Sequence, residues 1–465
     1  MQLTSFTFFF AFLPASLLLL LLLRKKLPGQ NAALLILSVL FCAASGLAGF
    51  LAGLLETLAV YAFARLLARN KSPKARKTVF TLGVLFCVGL LCYFKYTNFL
   101  LGALSLPTVS LLPAPLGVSF LTFLLISYLA DVYRGEIPAE RRFDRFLLYA
   151  FFFPKAAQGP LCRYGEFSAQ LDTRMVTADG LNAGVTRLIF GLGKKALLSS
   201  AAGAIAQEAF SLPASALTPV YAWTGAICYA LQIYFDFSGY TDLALGLALL
   251  FGFTLPENFN HPYMANSVTD FWRRWHMSLS SWFRDYVYIP LGGNRVSRSK
   301  WFRNIFIVWL LTGLWHGAAW TFILWGLFFA VFLTAEKLWY GRALAETRIF
   351  KHLYVLLLIV VSFVLFDAAS VQDALRTIAA LFGLGGLPLT DPLSRYYLDS
   401  YSGVFLIAAV GATPLPAAIV RQLSESKLGG KLLSVLEPAA LLALLAAVTA
   451  YLVDGSFNPF LYFRF

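Results

Sequence analysis

The sequence predicts an all-α polytopic membrane protein. Of its 465 residues, 59% are hydrophobic and only 13% are charged, about half the charge of a soluble domain. Apolar runs of about 20 residues, the length that crosses a bilayer as a helix, recur along the chain. The formal charge of +14, from 37 Lys and Arg against 23 Asp and Glu, is concentrated in short loops between those runs. That is the positive-inside pattern, and it removes the need for a nucleic-acid partner.

Taken in order, Ser5–Leu23, Asn31–Leu51, Leu54–Ala68 and Val79–Leu101 read as spans. No basic residue precedes the Phe6–Leu23 run, whereas Arg24, Lys25 and Lys26 follow it. A cleavable leader has the opposite arrangement, so the run is expected to stay and the N-terminus to face outward. Arg65, Arg69, Lys71, Lys74, Arg76 and Lys77 follow the third span and fall on the same side as Arg24–Lys26. In the middle, Pro115–Asp131 opens on Pro-Leu-Gly. Phe146–Ala157 is too short to span and ends at Gln158-Gly-Pro160. Leu181–Phe210 carries Lys194 and Lys195 and reads as an interfacial or tilted helix. Val220–Tyr234 and Leu243–Phe253 flank the polar stretch Asp236–Asp242, which predicts a broken helix buried in protein. Plain spans return at Ile305–Leu314, Ala318–Leu333, Leu353–Phe366, Ser402–Val420 and Leu432–Val453. With no internal repeat or soluble tract, 1–465 reads as a single membrane-embedded unit: 1–101 N-terminal spans, 115–345 a catalytic core with re-entrant segments, 353–465 C-terminal spans.

Chemistry concentrates in Asp270–Tyr286. On a helix, Phe271, Trp275, Leu279, Trp282 and Tyr286 share one face, with Asp270, Arg273, Arg274, Arg284 and Asp285 opposite and His276 on the border. An aromatic face backed by a basic one suits a helix lying at the interface. His316 follows 40 positions after His276, in Gly313-Leu-Trp-His-Gly317. The flanking glycines let a substrate or another helix approach the imidazole. Burial would keep it neutral and able to accept a proton, as a general base must. On spacing alone, an ordinary amphipathic surface helix and a histidine that merely bridges helices stand beside these readings. There is no GxSxG elbow, and no HxxxH or paired acid accompanies the histidines, so no metal site is expected. Cys42, Cys87, Cys92, Cys162 and Cys228 form no CxxC pair.

Asp270–Asn294 together with Leu311–Ala318 closely resembles the membrane-bound O-acyltransferase family, in its bacterial branch of alginate O-acetylases and teichoic acid D-alanyl transfer proteins. Gln232–Asp242, Pro256–Tyr263, Pro115–Phe120, Asp131–Gly135 and the terminal Asn458–Phe463 carry the same resemblance. Leu124, where relatives often have glutamine, and Gln158, where a small residue is usual, depart from it. The resemblance implies a ring of tilted helices with re-entrant and interfacial segments around a central tunnel. It implies His316 as the critical histidine and His276 as the second. Arg273, Arg274, Trp275, Asp270, Asn258 and Trp315 become expected donor- or substrate-binding residues. Arg273, Arg274 and Arg284, which would hold donor phosphates, read equally as headgroup anchors.

The implied reaction moves an acyl group, acetyl by preference, across the bacterial cytoplasmic membrane. The donor would be a cytoplasmic thioester, acetyl-coenzyme A or an acylated carrier protein, with no tightly bound cofactor. The acceptor side would be a cell-wall polysaccharide or a separate extracytoplasmic hydrolase-like acetyltransferase. D-alanyl transfer to teichoic acid is the second reading. A lipid or sugar transporter, or a scaffold, would explain buried charge without chemistry.

Overall fold

The structure, a computed structural model, describes residues 2–213 and 215–454. The terminal Asn458–Phe463 match lies outside the described residues. Every regular element among the described residues is helical. Seven of the helices are long and apolar enough to cross a membrane, or eight if one bent pair is counted as a span. The expected all-α polytopic architecture is therefore present.

The chain divides into two compact units. The first runs to Leu188 and takes in Thr241–Glu257. The second comprises Ile189–Tyr240 and the chain from Asn258 onward. In chain order the helices are α1 (Leu13–Leu22), α2 (Leu27–Ser45), α3 (Leu47–Arg69), α4 (Pro73–Lys95), α5 (Thr97–Ala103), α6 (Val118–Arg134), α7 (Phe143–Phe151), α8 (Tyr164–Thr173), α9 (Ala178–Gly193), α10 (Ser200–Ser211) and α11 (Pro219–Leu250). They continue with α12 (Val268–Arg274), α13 (Met277–Phe283), α14 (Arg298–His316), α15 (Trp320–Ala335), α16 (Gly341–Glu346), α17 (Phe350–Asp367), α18 (Val371–Leu381), α19 (Pro392–Gly411), α20 (Leu415–Ser424) and α21 (Lys427–Asp454).

In the first unit, Arg76, in the first turn of α4, works as a cap. Arg76 donates to the carbonyl of Leu67 and to that of Tyr133, each at 2.8 Å. A cation thus sits on the C-terminal carbonyls of both α3 and α6, where the helix dipole favours it. Arg187 pairs with Asp242 at 2.9 Å and with Glu257.

Several expected boundaries change. The Asp236–Asp242 stretch does not break a helix. It lies inside the 32-residue α11, because its acids find cations without unwinding: Asp242 meets Arg187 in the first unit and Asp236 meets buried Lys195 in the second. The Leu181–Phe210 run belongs to a continuous helical stretch, Ala178–Ser211, that is apolar enough to span. The expected span Ser402–Val420 is bent by 68° between α19 and α20. Pro414 and Pro416 supply no N–H to continue the ladder there.

Candidate active site

The Asp270–Tyr286 segment is two short helices, not one. Its first half, α12, is anchored at both ends. Ser267 Oγ accepts from the Asp270 N–H at 2.9 Å, and the Glu336 carboxylate accepts from the Val268 N–H at 2.9 Å. Together they satisfy donors that a helix start leaves open. Asp270 pairs with Arg274 one turn on, at 2.9 Å. Arg274 and Asn260 then exchange contacts, the Asn260 N–H donating to the Arg274 carbonyl at 3.0 Å.

The helix stops where Trp275 leaves it in extended backbone, and His276 then takes a left-handed conformation, φ +45°. For a residue with a Cβ this is costly and needs outside support. Asn258, fully buried, supplies it. Its carbonyl accepts from the Met277 N–H at 3.0 Å. Its Oδ1 accepts from the Ser278 N–H at 3.2 Å and from Ser278 Oγ at 2.7 Å. His276 Nδ1 lies 3.3 Å from the same oxygen. A backbone N–H can only donate, so the Asn258 atom is an oxygen. His276 must then carry its proton on Nδ1 to share that acceptor, which leaves the lone pair on Nε2. Burial disfavours the imidazolium and pushes its pKa down to about 3, so the ring is neutral at physiological pH.

His316 is placed differently. It is the last residue of α14, and Gly317 leaves the helix in extended backbone. The glycines near it are seats for α15. A Cβ on Gly313 would strike the Phe322 carbonyl, one on Gly326 the Trp309 carbonyl, and one on Gly317 the Phe322 ring. Of the two reasons for glycine that the sequence left open, close approach of a helix holds. Rings then surround the imidazole: Trp315 at 4.7 Å, Trp325 at 4.8 Å, Phe366 at 5.1 Å and Phe322 at 6.5 Å between centroids.

Trp315 joins the two histidines, its ring lying 5.9 Å from that of His276. Phe237, from α11, stands edge-on to His276 at 4.7 Å. Trp272, from α12, packs on Trp309, Trp325 and Phe329, so the segment bearing His276 and the hairpin bearing His316 share one aromatic cluster. Both imidazoles are buried.

Of the residues the sequence singled out, the structure thus gathers His276, His316, Trp315 and Asn258. Asn258 lies beneath His276 as a support. Trp275 is a core residue stacked on Phe271 at 5.5 Å. Asp270 and Arg274 bond to each other, Arg273 is exposed, and Arg284 is exposed and paired with Asp285 at 2.7 Å. Among the described residues no group of three His, Cys, Asp or Glu side chains converges as a metal-binding set. Sequence reasoning missed Ser278, Phe237, Trp325, Phe366 and Glu336. Phe237 stood inside a motif already noted. Ser278 also lay within the singled-out Asp270–Tyr286 stretch, but its partner Asn258 is 20 positions upstream. Trp325, Phe366 and Glu336 carry no local signal, since their partners are 9, 50 and 68 positions away.

Comparison with known proteins identifies the family. The family model of the membrane-bound O-acyltransferases matches residues 142–372. A probable alginate O-acetylase of Azotobacter vinelandii is 37% identical over 422 residues, covering 83% of this chain and 84% of its own. A peptidoglycan O-acetyltransferase of Helicobacter pylori is 33% identical over 423 residues, 82% and 80% of the two chains. A teichoic acid D-alanyltransferase of Bacillus subtilis is 33% identical over 234 residues, 47% of this chain and 58% of its own. The chain belongs to the membrane-bound O-acyltransferase family, in its bacterial branch: it is a multi-pass membrane O-acyltransferase.

Proposed function

We propose that this acyltransferase moves an acetyl group from a cytoplasmic thioester toward a polysaccharide on the far side of the bacterial cytoplasmic membrane, with His316 as general base. The observation that carries the reading is the convergence of two buried histidines, 40 positions apart in sequence, on the single ring of Trp315. Buried ionisable groups are costly and are kept for a reason.

In the proposed step His316 takes the proton from an acceptor hydroxyl. The oxygen attacks the thioester carbonyl carbon, the new C–O bond forms, and the C–S bond breaks. The departing thiolate receives the proton from His316. A dry aromatic surround strengthens each electrostatic contact made there. His276, rigidly set with its lone pair on Nε2, orients the donor or the acceptor. Exposed Arg273 is the guanidinium suited to a donor phosphate from coenzyme A or a carrier-protein arm. The acceptor is a polysaccharide hydroxyl or a separate extracytoplasmic acetyltransferase that completes the transfer.

Acetyl is preferred over D-alanine because the acetylases match this chain along most of its length, whereas the D-alanyltransferase matches 47% of it. The test uses membranes containing the chain and its neighbouring cell-envelope proteins, supplied with labelled acetyl-coenzyme A or labelled D-alanyl carrier protein. Acetyl label in base-labile ester on polysaccharide is the expected result. D-alanyl label alone, or neither, overturns the assignment.

A further inference from the structure

The first unit holds a cavity of about 470 Å³ at the start of α2. One wall is a stripe of α2 from Pro28 to Ile36, and the facing walls come from Leu148 of α7 and Leu171 of α8. The stripe is about 12 Å long at the helical rise, enough for the upper part of an acyl chain. Ile36 is 59% exposed at its lower end, as a lipid-facing residue is. Asn31 fixes the wall, donating to the Leu171 carbonyl at 2.9 Å and accepting from Arg174.

The mouth is of opposite character. It carries Arg142, Asp144, Arg145 and Asp172, two charges of each sign. Arg142 meets Asp144 at 2.7 Å and Arg145 meets Asp172 at 2.6 Å. Three of the four remain open to the outside: the side chains of Arg142, Asp144 and Asp172 are 64%, 50% and 65% exposed. This end of the unit is also where Arg24–Lys26 precede α2 and where Arg65 reaches the carbonyls of Ala139 and Glu140. It is the polar boundary of the bilayer by the charge rule.

We propose that this groove binds one phospholipid with a zwitterionic, primary-amine headgroup, of the phosphatidylethanolamine class. The phosphate lies on the Arg142 and Arg145 guanidinium groups, the ammonium donates to Asp144 and Asp172, and one acyl chain follows Pro28–Ile36. Exposed ion pairs contribute little by themselves in water, so headgroup charges exchange with them at small cost and gain charge-assisted bonds of their own. A glycerol headgroup brings no cation for the two acids. A choline headgroup brings a cation with no N–H to donate. The proposal stands apart from the acetyl-transfer mechanism, since no residue of the second unit enters it.

The test is lipid retention. The full chain is equilibrated in vesicles of equal parts phosphatidylethanolamine, phosphatidylcholine and phosphatidylglycerol, extracted gently, and weighed intact by native mass spectrometry. One phosphatidylethanolamine per chain is expected in preference to the other two. Asp172→Asn lowers its retention about tenfold, the loss of one charge-assisted bond. Ala32→Trp, a plug on the exposed face of α2, removes it while leaving the melting temperature unchanged. Retention of all three lipids in proportion to supply, a preference for phosphatidylglycerol, or unchanged phosphatidylethanolamine retention in both variants overturns the proposal.

Discussion

His276 and His316 are both buried, yet they are held by opposite means. His276 sits in a left-handed turn between two seven-residue helices and is tied down by polar bonds to Asn258. His316 ends a 19-residue helix and is enclosed by Trp315, Trp325, Phe322 and Phe366. A ring fixed by its backbone and one amide has a set tautomer and direction. A ring packed among aromatic faces keeps a dry environment that raises the value of any charge formed there. In the proposed mechanism the first ring positions and the second transfers the proton.

Four measurements break or sharpen that contrast, from the largest expected effect to the smallest. His316→Gln, assayed for acetyl transfer at equal membrane abundance, loses about 10²–10⁴-fold in rate, the range for removing a general base. A variant within threefold of wild type would reduce His316 to a packing residue. Asn258→Ala strips an acceptor from buried donors, at about 1–3 kcal/mol. Its transfer rate and its melting temperature both fall, whereas His316→Gln keeps its melting temperature. Equal thermal loss in the two variants would erase the distinction drawn here.

The third measurement is of pH. The folded pKa of His276, about 3, lies below its unfolded value of about 6.5, so the native state binds fewer protons than the unfolded one. Stability from this group is complete above about pH 6.5 and is lost as pH falls from there toward 3. By pH 5 the loss is on the order of 2 kcal/mol. His276→Gln is expected to flatten that part of the melting curve against pH, and a slope unchanged by the variant would assign it to other groups. Last, Ser278→Ala removes one hydroxyl from the Asn258 cluster and costs about 1 kcal/mol in stability, with the rate almost intact. A large rate loss there would mean that the hydroxyl touches substrate.

The same contrast explains what was legible in the chain. The pairing of His276 with His316 was readable from motifs, and four of the five members of the expected aromatic face, Phe271, Trp275, Leu279 and Trp282, are buried, while Tyr286 is half-buried. The helix break at His276 was not readable. Its periodicity runs straight through, and the left-handed turn depends on Asn258, 18 positions upstream. The Asp236–Asp242 stretch misled in the reverse sense: polar residues that would break an isolated apolar helix are tolerated once Lys195 and Arg187 arrive from elsewhere in the chain.

The sequence by itself determined the class of protein and its family. Composition, span length and loop charge are local sums that any bilayer enforces, and the histidine motifs are contiguous strings. Only the tertiary structure decided that Gly313, Gly317 and Gly326 are seats between α14 and α15, that one tryptophan touches both imidazoles, and that His276 keeps its lone pair on Nε2. Each of those depends on which distant atoms meet at a few ångströms. Close packing fixes that for the folded chain as a whole, and no local pattern encodes it.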